Sequence, residues 1–169
     1  MAKKHDKASL APKGSLLTQN RRALHDYHVL ERIEAGVQLT GSEVKSVRDG
    51  KVSLLEAYAQ FTKHPANHRG GSELYLISAH IAEYVQAHQR NHEPLRRRKL
   101  LLHRKELDRL EKAVAQSGLT LIPLAMYINH GYVKVELGLC QGKQMHDKRA
   151  SLKEREQRME MDRAMRERR

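Results

Sequence analysis

The stretch LTLIPLAMYINHGYVKVELGL, residues 119–139, contains two β-capable arms around a short Asn-His-Gly turn. In the second arm apolar and polar residues alternate strictly, which is the period of a strand with one buried face. A short turn containing glycine joins neighbouring antiparallel strands, so the pattern predicts a hairpin. The outward positions of the second arm are Lys134 and Glu136, and the inward positions are Val133, Val135, Leu137 and Leu139.

The residues before this hairpin also favour strands. HDYHVLERIEAGVQL, residues 25–39, is a long β-capable stretch in which Gly36 indicates a bulge. AYAQFTK (57–63) and ELYLISAHI (73–81) are two further predicted strands. The Pro- and Gly-rich loop between them, HPANHRGGS (64–72), is expected to be exposed and mobile.

Two helices accompany these strands. SEVKSVRDG (42–50) predicts a short helix, with Thr40 or Ser42 near its start and Gly50 just past its end. LHRKELDRLEKAVAQSG (102–118) predicts a longer one that stops at Gly118. Its apolar face consists of Leu107, Leu110 and Val114. Many short antiparallel strands with few helices predict a mainly β fold, a small antiparallel barrel with flanking short α-helices.

The chain divides into three parts. Residues 1–19 have no periodicity and are expected to form a flexible basic arm. Residues 20–142 form the predicted barrel domain. Residues 143–169 form a charged C-terminal tail that is disordered or helical, in which Ser151 and Glu154 have the spacing of a capping box. The tail has too few apolar residues to bury a face, so a polar partner is expected.

Charge is the strongest signal in the composition. The 169 residues contain 32 Lys and Arg against 20 Asp and Glu, a net charge of +12. Such a surplus favours nucleic acid as the partner, with an anionic membrane second. The membrane is disfavoured because no apolar run approaches the roughly 18 residues of a spanning helix. The absence of a secretory leader and the single Cys140, expected to be a small buried side chain, predict a reducing, cytoplasmic location.

Neither a metal site nor a catalytic site is predicted. The 11 histidines include two H-x3-H pairs, His64/His68 and His88/His92, but no cysteine or carboxylate cluster accompanies them. Solvated loop side chains are the simpler interpretation. No phosphate-binding glycine loop and no nucleophile motif is present, and no cofactor is expected. A small nuclease whose residues meet only in space stays an alternative from the enzyme class.

The basic run Arg96-Arg97-Arg98-Lys99 has two interpretations. It can be a charged strand edge that prevents aggregation, or a strip that binds phosphates. The overall basicity favours the phosphate strip. With only six Tyr, one Phe and no paired aromatic motif, the partner is expected to be a structured RNA read by its shape and backbone.

Four stretches together resemble the SsrA-binding protein (SmpB) family, which partners transfer-messenger RNA (tmRNA) in rescuing stalled bacterial ribosomes. They are NRRALHDYHVLERIEAG (20–36), LTGSEVKSVRDGK (39–51), RRKLLLHRKEL (97–107) and GKQMHDKRASLKERE (142–156). The resemblance implies an oligonucleotide/oligosaccharide-binding (OB) type of barrel. It also implies a tail that folds as a helix along the vacant messenger channel of the ribosome.

The resemblance implies two sets of site residues. The set on the barrel is expected to contact the tRNA-like domain of tmRNA and comprises Asn20, His25, Glu34, Gly36, Lys45, Arg48, Arg98, Lys99, Leu101 and Lys134. From spacing alone Leu101 is expected to be core, and Glu34 is also compatible with an ordinary strand ion pair. The tail set is expected to contact ribosomal RNA around the decoding centre and comprises Lys143, His146, Asp147, Lys148, Arg149, Lys153 and Arg155.

The implied partners are tmRNA, the stalled 70S ribosome with its 16S rRNA, and elongation factor Tu through the tmRNA complex. The protein is expected to be a monomeric adaptor without enzymatic activity. The alternative is a ribosomal or ribosome-assembly protein that binds rRNA through its basic extensions. Three features depart from the family pattern: Gln144 replaces a usual Lys, the expected hinge 139–141 is less basic, and the loop 64–73 is longer.

Overall fold

The computed structural model describes residues 14–63 and 71–144, together with Gln157, Met159 and Met161 of the tail. These three tail residues are helical and exposed. The elements in the described part of the chain, in order, are β1 (Ser15–Gln19), α1 (Arg21–Asp26), β2 (Tyr27–Val37), α2 (Gly41–Arg48), β3 (Val52–Ser53), β4 (Tyr58–Lys63), β5 (Ser72–Ile77), β6 (His80–Ile81), a 3-10 helix (Val85–Arg90), β7 (Arg98–Leu101), α3 (Arg104–Ser117), β8 (Thr120–Asn129) and β9 (Tyr132–Gly142).

A closed antiparallel barrel is the centre of the fold. Seven strands follow the order β1-β8-β4-β5-β7-β2-β9, and the additional pairing of β8 with β9 closes the ring. Strand β8 pairs with β9 along one edge and with β4 and then β1 along the other. Closure leaves few unpaired strand edges, which stabilises an isolated small sheet. The predicted mainly β fold with short flanking helices is confirmed.

The hairpin of β8 and β9 forms as the alternation predicts. Its register runs from Thr120 opposite Cys140 to Asn129 opposite Tyr132. The turn therefore has two residues, His130 and Gly131, with φ of 48° and 81°. Positive φ at both central residues is the turn geometry that matches the right-handed strand twist. The predicted inward residues Val135 and Leu137 are fully buried in the barrel.

Both predicted helices are confirmed, and their ends follow local capping chemistry. Helix α2 begins after Thr40, whose backbone N–H donates to Glu43 Oε2 at 2.7 Å, and it ends before Gly50 with φ of 73°. Helix α3 ends at Gly118, which has φ of 58°. Its Leu110 is fully buried and belongs to the main hydrophobic core.

The N-terminal boundary of the barrel differs from the prediction. Residues 15–19, assigned to the flexible arm, form strand β1, which pairs with β8 from Ser15 opposite Ile128 to Gln19 opposite Ala125. The free edge of β8 that accepts this strand is created by the barrel and leaves no local signal in the sequence. Helix α1 was also missed, because its six residues are too short for a recognisable period.

Glycine 36 does not form the predicted bulge. The pairing of β2 with β9 is regular from Glu31 to Gly36, and the register shift lies between Val29 and Glu31. Gly36 instead allows a close approach, since a Cβ at this position would lie 3.3 Å from Leu101 Cβ. The residues 139–141, predicted to be a hinge, belong to β9.

Two polar groups predicted to be solvated are buried. Glu136 lies on the outer face of β9 but is only 6% exposed, because Arg32 covers it and donates to its Oε1 at 3.1 Å. His92 is buried, with Nδ1 at 3.0 Å from Ser42 Oγ and Nε2 at 3.2 Å from the Ile81 carbonyl. His92 therefore links α2 to β6 and is not a loop side chain in solvent.

Candidate nucleic-acid interface

Four neighbouring strands place their residues in one row across the barrel. Tyr127 of β8 is opposite Lys134 of β9, Lys134 is opposite Gly36 of β2, and Gly36 is opposite Leu101 of β7. Glu34 lies two residues before Gly36 on β2 and is exposed. The structure thus brings together Glu34, Gly36, Leu101 and Lys134, which lie up to 100 residues apart in the chain. We call these four residues with Tyr127 the barrel row.

Leu101 is exposed and was wrongly predicted to be core. Its relative exposure is 51%, whereas the preceding Leu100 is 2% exposed and faces the barrel interior. Side chains of a strand point alternately to its two faces, so Leu101 must face outward. Across the sheet the missing side chain of Gly36 makes room for it. The result is an apolar spot on the outer surface, next to polar groups.

The carboxylate of Glu34 is held in a defined orientation. Tyr127 Oη donates to Glu34 Oε2 at 2.5 Å, and Lys134 Nζ lies 3.5 Å from Glu34 Oε1. Burial of the Tyr127 ring, and then its hydrogen bond to Glu34, raise the pKa of this phenol far above its usual range. Tyr127 therefore stays protonated and remains a donor at any working pH. The side chains of Lys134 and Glu34 are each about one third exposed.

This geometry suits recognition of an RNA backbone. An oriented carboxylate accepts hydrogen bonds from 2′-hydroxyls or exocyclic amines, and an ammonium group binds phosphate. Leu101 offers an apolar contact to a ribose or a base. The described residues contain no cluster of three or more histidine, cysteine, aspartate or glutamate side chains that could hold a metal ion. The barrel row offers an RNA a hydrogen-bond acceptor in Glu34, a cation in Lys134 and an apolar contact in Leu101.

Two predicted cations, Lys45 and Arg48, are exposed on α2 near the β8–β9 turn. Arg48 Nη2 lies 3.5 Å from the Gly131 carbonyl, and Lys45 Nζ lies 5.2 Å from the centroid of the Tyr84 ring. Within residues 14–63 and 71–144, neither forms a salt bridge with a carboxylate. Their positive charge is thus available to a phosphate beside the barrel row.

The predicted phosphate strip at residues 96–99 is largely a structural ion-pair network. Arg98 is fully buried, so its guanidinium is not exposed for the RNA contact that the resemblance implies. Its guanidinium donates to Glu43 Oε1 at 2.9 Å and to the carbonyls of Ala79 and Pro94 at 2.5 and 2.9 Å. Arg96 also donates to both carboxylate oxygens of Glu43. The pair of arginines fastens α2 to β7.

The protonation states of this network follow from its contacts. Burial alone would raise the pKa of Glu43, but hydrogen bonds from Arg96 and from the Thr40 backbone, with the charge of Arg98, bring it below its usual value. Burial lowers the pKa of Arg98, and the adjacent Glu43 opposes this change. Glu43 is therefore an ionised buried carboxylate.

Lys99 has a partner but keeps some exposure. Its Nζ donates to Glu73 Oε1 at 2.5 Å, and its side chain is 35% exposed. Tyr75 Oη donates to the same carboxylate at 2.7 Å, and this hydrogen bond raises the pKa of Tyr75. Arg97 is exposed, and among the described residues its side chain forms no ion pair with a carboxylate. Of the four cations at positions 96–99, Arg97 is therefore the most available to a phosphate.

Asn20 and His25 lie on or next to α1, with different exposure. Asn20 is 4% exposed; its Oδ1 accepts from the Ala23 N–H at 3.0 Å and its Nδ2 donates to the Leu54 carbonyl at 2.8 Å. Asn20 caps α1 and anchors it to the barrel, so both polar atoms of its side-chain amide are already bonded to the protein backbone. The side chain of His25 is 40% exposed, with Nδ1 at 3.1 Å from Asp26 Oδ1.

Lys143 holds the start of the tail against α1. Its backbone N–H donates to the Asp26 carbonyl at 3.0 Å, and its Nζ donates to the Leu24 carbonyl at 3.1 Å. A cation at the C-terminal end of a helix satisfies unpaired carbonyls there. The other predicted tail residues, from His146 to Arg155, and the loop 64–70 lie outside the described residues.

Sequence reasoning missed Tyr127 and Tyr132. The place of Tyr127 beside the site residues follows only from the hairpin register, which sets it opposite Lys134. Tyr132 is 73% exposed and lies two residues before Lys134 on the same face of β9. The strict alternation of β9 contained this signal.

The fold and this surface define a class: small β-barrel proteins that bind nucleic acid on the outer face of the barrel. Residues 17–167 match the family model described as SmpB protein. The chain belongs to the SmpB family. None of the helices in the described part of the chain is long and apolar enough to cross a membrane.

Known relatives resemble the chain over nearly its whole length. The SsrA-binding protein of Levilactobacillus brevis is 48% identical over 165 residues, which is 98% of each chain. That of Limosilactobacillus fermentum is 50% identical with the same coverage, and that of Syntrophobacter fumaroxidans is 46% identical over 97% of each chain. A chain in the solved structure "tmRNA-SmpB: a journey to the center of the bacterial ribosome" is 49% identical. It matches with a TM-score of 0.60, covering 76% of this chain and 85% of that one.

Proposed function

We propose that this protein binds SsrA RNA (tmRNA) through the barrel row and delivers it to stalled ribosomes in trans-translation. The observation that carries the proposal is the row itself, in which Glu34, Gly36, Leu101 and Lys134 come together from separate stretches. Membership in the SmpB family and relatives that bear the name SsrA-binding protein support the choice of RNA.

The row recognises a folded RNA by shape and backbone. Lys134 binds a phosphate, while Glu34, oriented by Tyr127, accepts a hydrogen bond from a 2′-hydroxyl or a base edge. Leu101 packs on the adjacent ribose. Lys45 and Arg48 contact phosphates on the α2 side, and His25, Arg97 and Lys99 extend the basic surface. Since most of these contacts involve phosphates, the affinity falls steeply with salt.

The tail acts on the ribosome. His146 stacks on a ribosomal base, Lys148 and Arg149 bind phosphates at the decoding centre, and Lys153 and Arg155 follow the messenger channel. A charged tail folds only where it can make many contacts. The tail therefore binds the ribosome only when the messenger channel is empty. The protein is then a cytoplasmic adaptor without catalytic residues, and elongation factor Tu joins through the RNA complex.

The test compares the full-length protein with a version ending at Gly142. Each is titrated with the isolated tRNA-like domain of SsrA RNA and with an ordinary tRNA across a salt series. We expect both proteins to prefer the tRNA-like domain, with similar affinity and similar salt slopes. Equal affinity for both RNAs would refute the proposal, and loss of binding on truncation would move RNA choice to the tail.

A ribosomal or ribosome-assembly protein is the competing function. A permanent ribosomal component stays in stoichiometric amounts on ribosomes after a high-salt wash, whereas an adaptor dissociates. We expect the wash to remove this protein. The residues proposed to bind RNA are mainly surface cations, and because their binding to phosphates releases counterions, it weakens at high salt.

A further inference from the structure

Tyr132 presents its ring to solvent at the tip of the β8–β9 hairpin. It is 73% exposed, although it opens a strand whose Val135 and Leu137 are fully buried. Val133 lies between them and packs against the core, so the outward face begins with Tyr132 and continues with Lys134. The ring therefore extends the barrel row towards the hairpin tip.

The position of this ring is well defined by its backbone. Tyr132 pairs with Asn129 across a two-residue turn, in which His130 and Gly131 both have positive φ. Such a tight turn leaves the strand ends little freedom. A tyrosine side chain has only two rotatable torsions, so binding a flat partner costs little conformational entropy.

The surroundings of the ring are positively charged. The Arg48 guanidinium lies 3.5 Å from the carbonyl of Gly131, the residue before Tyr132, and Lys134 follows two residues later. In the described ranges Arg48 has no carboxylate partner. A flat aromatic face near the Arg48 guanidinium and the partly exposed Lys134 ammonium is complementary to one nucleotide, with a base to stack and a phosphate to neutralise.

We infer that Tyr132 stacks on one unpaired base of the bound RNA while Arg48 binds the adjacent phosphate. This inference rests on the proposed function and names the same RNA molecule as its ligand. Two strand residues span about 7 Å, so an RNA backbone that reaches Lys134 also reaches Tyr132. A stacked base must be outside a duplex, and the hairpin tip therefore selects RNA that presents a looped-out nucleotide beside its helix.

Substitutions at Tyr132 test the stacking. Tyr132→Ala and Tyr132→Leu remove the ring and are expected to weaken binding of the tRNA-like domain by roughly 5- to 100-fold. Tyr132→Phe keeps the ring and is expected to bind within about twofold of wild type. Binding by the Leu variant that equals wild type would show that the ring is not used.

The chain contains no tryptophan, so Tyr132→Trp introduces a single fluorescent reporter at the tip. We expect saturating RNA to quench its emission, because a stacked base shortens the excited state. Bound RNA with unchanged emission would overturn the inference. This readout does not depend on a loss of affinity, and the exposed position makes unfolding of the variant unexpected.

Removal of charge tests the phosphate contact. Arg48→Gln is expected to reduce the salt slope by about 0.7–0.9. The matched control is Lys112→Gln on α3, another exposed cation, and its slope should equal that of wild type. A wild-type protein without preference for SsrA RNA would refute the proposed function. Normal RNA binding by the Tyr132 and Arg48 variants would refute the inference alone, and a defect confined to ribosome binding would reassign the tip to ribosomal RNA.

Discussion

Replacement of Arg98 by methionine distinguishes a buried structural arginine from a phosphate contact. The guanidinium is fully buried and donates to Glu43 and to the carbonyls of Ala79, Pro94 and Arg96. Arg98→Met removes all four hydrogen bonds and one of the two cations that neutralise Glu43. Breaking one side of a buried ion pair costs about 3–5 kcal/mol.

The expected loss lies at the lower end of that range. Glu43 keeps Arg96 and the Thr40 N–H as donors, so its charge is not left alone. With about 3 kcal/mol lost and an m-value of about 1–3 kcal/mol/M in urea, the unfolding midpoint falls by about 1–3 M. Urea denaturation followed by circular dichroism measures this shift.

The matched control is Arg97→Met, which removes the exposed neighbour on the same segment. We expect its stability to stay within about 0.5 kcal/mol of wild type, while the salt slope of RNA binding falls by roughly one phosphate contact. Arg98→Met, assayed where it is folded, should keep the wild-type slope. An unchanged urea midpoint together with a reduced slope for Arg98→Met would mean that this arginine binds RNA after all.

Three further outcomes are expected. Because the pKa of Glu43 in the folded state is below its ordinary value of 4.5, its ionisation stabilises the protein above about pH 4.5, and this contribution is lost as pH falls through the folded pKa. In Glu43→Gln, the curve of stability against pH should no longer show this loss at acid pH. Gly36→Val should destabilise by about 1–3 kcal/mol through contact with Leu101, and a double-mutant cycle with Leu101→Gly, which removes the contacting Cβ, should recover part of it; additive effects would contradict the close approach. Lys143→Met should cost about 0.3–1 kcal/mol of stability at the C-terminus of α1 with no change in the salt slope of RNA binding, and a reduced slope would make Lys143 a phosphate ligand instead.

Short-range chemistry made several elements predictable from the sequence. The capping residues of α2, the Gly118 stop of α3 and the alternation of β9 each act within a few residues, so they survive in any tertiary context. The resemblance of four stretches to the SmpB family is likewise visible in the sequence alone, and the match of residues 17–167 to the family model confirms it.

The faces of β7 could not be predicted from the sequence. Its four residues are Arg98, Lys99, Leu100 and Leu101, in which charge and apolarity do not alternate. Arg98 and Leu100 face inward because Glu43, 55 residues away, supplies a buried carboxylate for Arg98. An ion pair between distant residues leaves no local periodicity, so the sequence does not show that Arg98 is buried and that Leu101 is exposed.

The sequence by itself determined the local elements, the basicity and the outward position of Lys134, because these depend on neighbouring residues and on composition. Only the tertiary structure decided that β1 completes the edge of β8, that Tyr127 orients Glu34, and that four strands align their residues in one row. Each of these contacts depends on the pairing of strands that lie far apart in the chain, and this pairing is decided when the barrel closes.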